Sequence, residues 1–200
     1  MIKNIIFDLG NVLIKYDPFT FIEENIVEKN REKFYKTVFQ SEEWQGLDRG
    51  TLTYEEAIKV FVEKLPEEKA NIEKLFANSI QDVLFIDKTN LEFVNSLKSK
   101  NYKLYILSNF HKPAFNKISI THDFSKIFDG KVISCDCHLL KPEREIYELI
   151  LNNYNLKPDE TVFIDDSQNN VDAAKKIGIH GIHLKNMKEL IKTLNNILNI

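Results

Sequence analysis

The sequence predicts an α/β fold, a doubly wound and mostly parallel sheet interrupted near its start by a helical insert. Three observations lead there. Short β-branched and aromatic runs end abruptly in polar residues, as Ile5-Ile6-Phe7 does before Asp8. After Asp87 such runs alternate with segments long enough to be helices, a pattern that calls for right-handed crossovers and a parallel sheet covered on both faces. Between Pro18 and Ser79, by contrast, the apolar residues recur at helical spacing.

The elements follow in order. Ile5-Ile6-Phe7 reads as a buried strand feeding the turn Asp8-Leu9-Gly10-Asn11. In the insert, Ala57, Ile58, Phe61, Val62 and Leu65 share one helix face, and Thr53 with Glu56 forms a capping box at its start. Pro66-Glu67-Glu68 restarts a helix carrying Ile72, Leu75 and Phe76, so three or four helices fit in the insert. A helix with Leu91, Val94 and Leu97 ends near Lys100-Asn101, and Leu104 to Leu107 is a strand ending in Ser108-Asn109. Lys131 to Ser134 is a strand, Glu143 to Asn153 a helix, Val162-Phe163-Ile164 a strand ending in Asp165-Asp166, and Ser167 to Ile177 a helix stopped by Gly178. A last strand near Ile182-His183-Leu184 precedes a terminal helix.

Composition narrows the function. The 200 residues suit one globular domain, or one domain with an insertion, and 43% hydrophobic residues with 14 Phe, 7 Tyr and 1 Trp can fill a core. A net charge of −3 advertises no polyanionic partner, which argues against nucleic acid and phospholipid surfaces. The two cysteines, Cys135 and Cys137, stand too close for an unstrained disulfide, which suits a reducing compartment. The first residues lack the apolar stretch of a secretory signal, and no run approaches the ~18–20 apolar residues of a membrane span. The expectation is a soluble, cytoplasmic protein.

In an open parallel sheet, ligands gather beyond the carboxyl ends of the strands, where loops and helix N-termini converge. Asp8, Ser108, Asn109, Asp165 and Asp166 follow strands, and Lys141 lies in the loop after the Val132-Ile133 strand. Carboxylates from two strands can hold Mg²⁺, a hard cation that keeps coordination positions open for phosphate. Ser108, Asn109 and the Lys141 ammonium can neutralise the oxygens of a transferring phosphoryl group. Asp8 is then left to attack, giving an aspartyl-phosphate that water hydrolyses in a second step.

Taken together, Asp8-x-Gly10-Asn11-Val12-Leu13, Ser108-Asn109, Lys141-Pro142 and Asp165-Asp166-Ser167-x-x-Asn170 resemble, in order, the four motifs of the haloacid-dehalogenase-like hydrolase superfamily. The resemblance spans nearly the whole chain. It implies a Rossmann-like core from 1–14 and 87–200 and a helical cap from 15–86, as in the helical-cap subgroup. The Gly10-Asn11 variant is most similar to bacterial α-D-glucose-1-phosphate phosphatases. Carried over, the family pattern makes Asp8 the nucleophile and a Mg²⁺ ligand, with the Gly10 carbonyl and Asp166 as further ligands. Asp165 supports the metal directly or through water, and Ser108, Asn109 and Lys141 bind phosphate. The implied activity is hydrolysis of a small phosphomonoester, such as glucose 1-phosphate.

One departure bears on the chemistry. The family's general acid lies two residues after the nucleophile, and here that residue is Gly10. General acid–base help is worth roughly 10²–10⁴-fold, most for poor leaving groups. Asp17, Asp48 and His111 are the candidates to replace it. Two alternatives also follow: halide displacement, which needs neither proton nor metal, and a phospho-aspartate switch or phosphate-binding module without turnover. Each motif has a plainer reading, since an aspartate after a strand often only caps a helix. Cys135-Asp136-Cys137-His138 is expected to be an ordinary loop because a structural zinc site wants four ligands at wider spacing. Phe34, Tyr35 and Phe39 read as core of the insert, and Trp44 and Arg49 as candidates for substrate contact.

Overall fold

A computed structural model describes residues 1–80 and 83–199; Gln81 and Asp82, within the predicted insert, and Ile200 lie outside the described residues. Its centre is a five-stranded parallel sheet of β1 (Asn4–Phe7), β4 (Lys103–Ser108), β5 (Gly130–Ile133), β6 (Thr161–Asp165) and β7 (His180–His183), in the order β5-β4-β1-β6-β7. Ile5, Ile6 and Phe7 of β1 are apolar on both faces, as a central strand covered on both sides requires. Ile5 and Phe7 join one core with Leu104, Ile106, Val162 and Ile164, while Ile6 joins the opposite core with Leu107 and Phe163. Helices α6 (Lys88–Ser96), α7 (Lys112–Thr121), α8 (Phe124–Ile127) and α12 (Leu190–Leu198) supply side chains to the first core, and α10 (Arg144–Tyr154) and α11 (Gln168–Lys176) to the second.

The register aligns the strands' carboxyl ends. Phe7 pairs with Ile106 and Ile164, so Asp8, Ser108 and Asp165 emerge from neighbouring strands at one rim. The chain then leaves the sheet for the insert, and the predicted helices are there: α1 (Pro18–Asn25), α2 (Arg31–Val38), α3 (Glu42–Arg49), α4 (Tyr54–Lys64) and α5 (Lys69–Lys74). The described residues thus hold five α-helices in place of three or four. The prediction fell short because α1 and α2 are one short helix each, separated by a turn at Glu28–Asn30 that apolar spacing does not mark. The Thr53–Glu56 capping box is present, with Thr53 Oγ1 accepting from the Glu56 N–H at 3.2 Å. Phe34, Val38, Ala57, Phe61 and Ile72 build a separate core for these helices. Phe39 belongs to it, and Tyr35 packs against it.

A feature the sequence reading did not anticipate joins insert to sheet. The strands β2 (Ile14–Tyr16) and β3 (Leu84–Ile86) pair antiparallel, Ile14 with Ile86, so the chain enters and leaves the insert through one two-stranded ribbon. Three residues each are too short to show an alternating pattern. The segment after β5 also differs from expectation: Ser134, read as strand, opens a helical turn, α9 (Ser134–Cys137), closed by His138 at φ 59°. Cys135 and Cys137 are therefore helical, and neither is disulfide-bonded.

Candidate active site

A cavity of about 230 Å³ opens where the sheet rim meets the insert. The rim contributes Asp8, Gly10, Ser108, Asn109, Lys141 and Asp166 to its lining. Asp8 is 7% exposed and held from two sides: the Ser108 hydroxyl donates to its Oδ1 at 2.7 Å, and Lys141 Nζ lies 2.8 Å from the same oxygen. Lys141, itself buried, reaches Asp165 Oδ2 at 2.6 Å. Asp165 has no exposed surface, and its other oxygen accepts from the Ser167 N–H at 2.8 Å and from Asn170 Nδ2 at 2.9 Å. Asp166 is half-buried, and Asn11 Nδ2 donates to its Oδ2 at 2.9 Å.

The electrostatics follow from burial. Desolvation pushes the Asp8 carboxyl up to about 6, aided by the charge on Asp165 and opposed by Lys141 and Ser108. Burial also raises Asp166, against the bond from Asn11. Burial works against the Lys141 ammonium, yet Asp8 and Asp165 outweigh it and hold lysine above its ordinary range. Asp8, Asp165 and Asp166 each offer a carboxylate oxygen, all within 4.8 Å of one another. Three acids facing one ammonium leave negative charge uncompensated, and an all-oxygen donor set is what a hard divalent cation prefers. The residues present therefore fit Mg²⁺.

The Asn109 side chain is engaged elsewhere than the cavity centre. Its Nδ2 donates to the Lys141 carbonyl at 3.1 Å and its Oδ1 accepts from the Lys141 N–H at 2.9 Å, clamping the lysine loop to the end of β4. Asn11 and Asn170 play the same part for Asp166 and Asp165. Sequence reasoning named these asparagines only as motif letters, although their position beside paired acids was the available signal.

The insert and the segment after β4 supply the opposite wall, with Tyr16, Trp44, Val83, Leu84, Phe110 and Ala114. Asp48 and His111 also line it, and among the described residues Asp48 is the only charged side chain from the insert to do so. Trp44, a candidate for substrate contact, is part of this lining. Arg49 does not line it: its guanidinium pairs with Glu143 and donates to the His138 carbonyl at 2.9 Å. Asp17 is likewise away from the cavity, where its Oδ1 caps α1 by accepting from Thr20 N–H at 3.3 Å and Lys15 lies 2.5 Å from its Oδ2. The lysine's hydrogen bond keeps the Asp17 carboxyl below its ordinary range.

Known proteins resemble this chain in sequence and in fold. The family model for haloacid dehalogenase-like hydrolases matches residues 2–178, and the chain belongs to that family. The chain is 27% identical to a sesquiterpene phosphatase of Aspergillus oryzae over 91% of its own length and 89% of the relative's. It is 26% identical to the D-ribitol-5-phosphate phosphatase of Bacteroides thetaiotaomicron, with each chain covered in full. Among solved structures, a family enzyme from Bacteroides thetaiotaomicron in complex with magnesium and inorganic phosphate superposes with a TM-score of 0.76 at 25% identity, covering 92% of this chain and 94% of that one.

Proposed function

We propose that this chain is a Mg²⁺-dependent phosphatase that hydrolyses a small phosphomonoester in two displacements through an aspartyl-phosphate on Asp8. The observation that carries the reading is Asp8 itself, a buried carboxylate bonded by Ser108 and Lys141 and clustered with two more acids. Asp8, the Gly10 carbonyl and Asp166 would hold Mg²⁺, which when bound offsets the clustered negative charge and draws electron density from the phosphoryl oxygens. Asp165 has both oxygens occupied by Lys141, Ser167 and Asn170, so it orients Lys141 and reaches the metal at most through water. The Lys141 ammonium and Ser108 hydroxyl stabilise the equatorial oxygens of the phosphoryl group, and Asn109 serves phosphate binding by fixing Lys141. The acidic cluster speaks against the metal-free halide alternative.

The cavity, below the ~300–1,000 Å³ usual for sites that take drug-sized ligands, favours a compact alcohol. The relatives named above act on a polyol phosphate and a terpenoid, which differ everywhere except at the phosphate. A sugar phosphate such as glucose 1-phosphate is the finer reading, supported by the presence of two aromatic side chains, Tyr16 and Trp44, in the cavity lining. On this reading, residues 15–86 act as a cap that selects the alcohol. The test is phosphate release from a panel of sugar, polyol and aryl phosphates with and without Mg²⁺. Release that requires Mg²⁺ and disappears in Asp8→Asn is expected. Release unaffected by chelation, or retained by Asp8→Asn, overturns the reading.

A further inference from the structure

Gly10 removes a proton donor from the sheet rim, and an alkoxide leaving group still needs one. The other cavity residues are poor sources. Lys141 is committed to Asp8 and Asp165, and burial followed by the charge on Asp48 raises the Tyr16 phenol far above neutrality. Burial holds His111 neutral, its value pushed down to about 3 against an opposing bond from the Trp44 backbone. Asp48 is different in kind, an acid from the insert facing the cavity that contains Asp8.

Its position is fixed by the core more than by the insert. Ser134, the first residue of α9, donates its hydroxyl to the Asp48 carbonyl at 2.5 Å. The next residue, Arg49, pairs with Glu143, and its carbonyl lies 2.9 Å from His138 Nδ1. Gly50 then lies so close to α9 that a Cβ there would fall 2.4 Å from the Cys135 carbonyl, and its φ of 72° also favours glycine. The Ser134 to His138 turn, which resembled a metal motif in sequence, is therefore the dock for Asp48, Arg49 and Gly50. A carboxylate on the insert is thereby tied to the rim at three consecutive residues.

We infer that Asp48 is the general acid and base of this phosphatase, replacing the carboxylate that Gly10 lacks. The inference rests on the phosphatase reading above and adds to it the source of the proton. In the first step Asp8 forms a bond to phosphorus, the bond to the alcohol oxygen breaks, and the Asp48 carboxylic acid gives its proton to that oxygen. In the second step a water oxygen attacks phosphorus while Asp48 takes the water's proton. The bond to Asp8 then breaks, releasing inorganic phosphate and restoring both side chains. The surroundings suit both halves. Asp8 and Lys141 face Asp48 from the rim, His111 Nε2 lies 3.3 Å from its Oδ1, and Tyr16, Tyr54 and Cys135 approach from the neighbouring elements. Burial, reinforced by Asp8 and opposed by Lys141, pushes the Asp48 carboxyl up to about 7, so both its forms are available near neutrality. His111 Nε2 is buried and makes no hydrogen bond, although Asp48 Oδ1 lies 3.3 Å away.

The test compares Asp48→Asn with the unaltered protein, both loaded with Mg²⁺, on an alkyl phosphate and on p-nitrophenyl phosphate. The expected result is a fall of roughly 10²–10⁴-fold in kcat on the alkyl ester. The p-nitrophenolate burst, whose leaving group needs no proton, should persist near its original rate, followed by slow turnover as phosphorylated Asp8 accumulates. The persisting burst also reports that the variant is folded. Loss of the aryl burst, or a first-turnover alcohol release slowed equally for both esters, overturns the assignment of Asp48 while leaving the phosphatase reading intact. Absence of phosphate release from either ester by the unaltered protein removes the phosphatase reading, and this assignment with it.

Discussion

The two walls of the cavity are built on opposite principles. On the sheet rim nearly every polar atom is bound to another: Asp8 to Ser108 and Lys141, Lys141 to Asp165, Asp165 to Ser167 and Asn170, Asp166 to Asn11. The insert wall is mostly aromatic and aliphatic, with Asp48 set into it. A rim locked by hydrogen bonds fixes one reaction geometry, since a charged network has few low-energy rearrangements. An apolar wall fixes little beyond shape and can be altered without disturbing the rim. The rim therefore constrains a ligand by fixed hydrogen bonds, and the insert wall constrains it by shape and by the one carboxylate of Asp48.

The largest effect is expected at Lys141. Lys141→Met leaves Asp8 and Asp165 buried without their shared counter-charge, a change that costs about 3–5 kcal/mol when a buried pair loses one member. Turnover should also fall about 10²–10³-fold, as when a preorganised donor to a developing anion is removed. Thermal denaturation and steady-state kinetics of the variant check both. A Lys141 variant with unchanged stability and turnover would mean that the rim is not the network described.

A smaller effect sharpens the division between the walls. Ser108→Ala should weaken inhibition by inorganic phosphate for every substrate, because the hydroxyl belongs to the shared end of the ligand. Trp44→Ala should change KM by different factors for different alcohols, about tenfold for those touching the ring, and leave phosphate inhibition unaltered. Parallel KM shifts in the two variants would erase the distinction.

The smallest effect concerns pH. Asp48 moves from an ordinary 3.8 to about 7 on folding, chiefly through burial, so the folded state holds its proton more tightly than the unfolded chain. Stability should therefore decline as pH rises through this interval, because the unfolded chain ionises first. Removing the acid removes that penalty. In metal-free protein, Asp48→Asn should raise Tm by a few degrees at about pH 8 and change it little at about pH 4, read by calorimetry at both values. An equal change at both values would contradict the stated cause.

Much of this was legible in the sequence because the rim obeys a local rule. A parallel strand buried on both faces reads as an unbroken apolar run, and its end is marked by the first polar residue, so Asp8, Ser108 and Asp165 could be placed at strand ends from composition alone. The helical insert was visible through the 3.6-residue spacing of Ala57, Ile58 and Phe61. The choice of Asp48 over Asp17 was not visible. It depends on contacts between residues far apart in the chain, from Ser134, Glu143 and His138, and no local pattern encodes those. The ribbon of β2 and β3 escaped for a similar reason, since Ile14 and Ile86 become partners only once the insert between them has folded.

Covalent chemistry at Asp8 can be caught by rapid acid quenching. Protein mixed with Mg²⁺ and p-nitrophenyl phosphate is quenched during turnover, digested and analysed by mass spectrometry. The expected result is one added phosphoryl group on the peptide containing Asp8, labile to hydroxylamine and absent from Asp8→Asn. Rapid turnover with no label on that peptide, or a label on another residue, would contradict it.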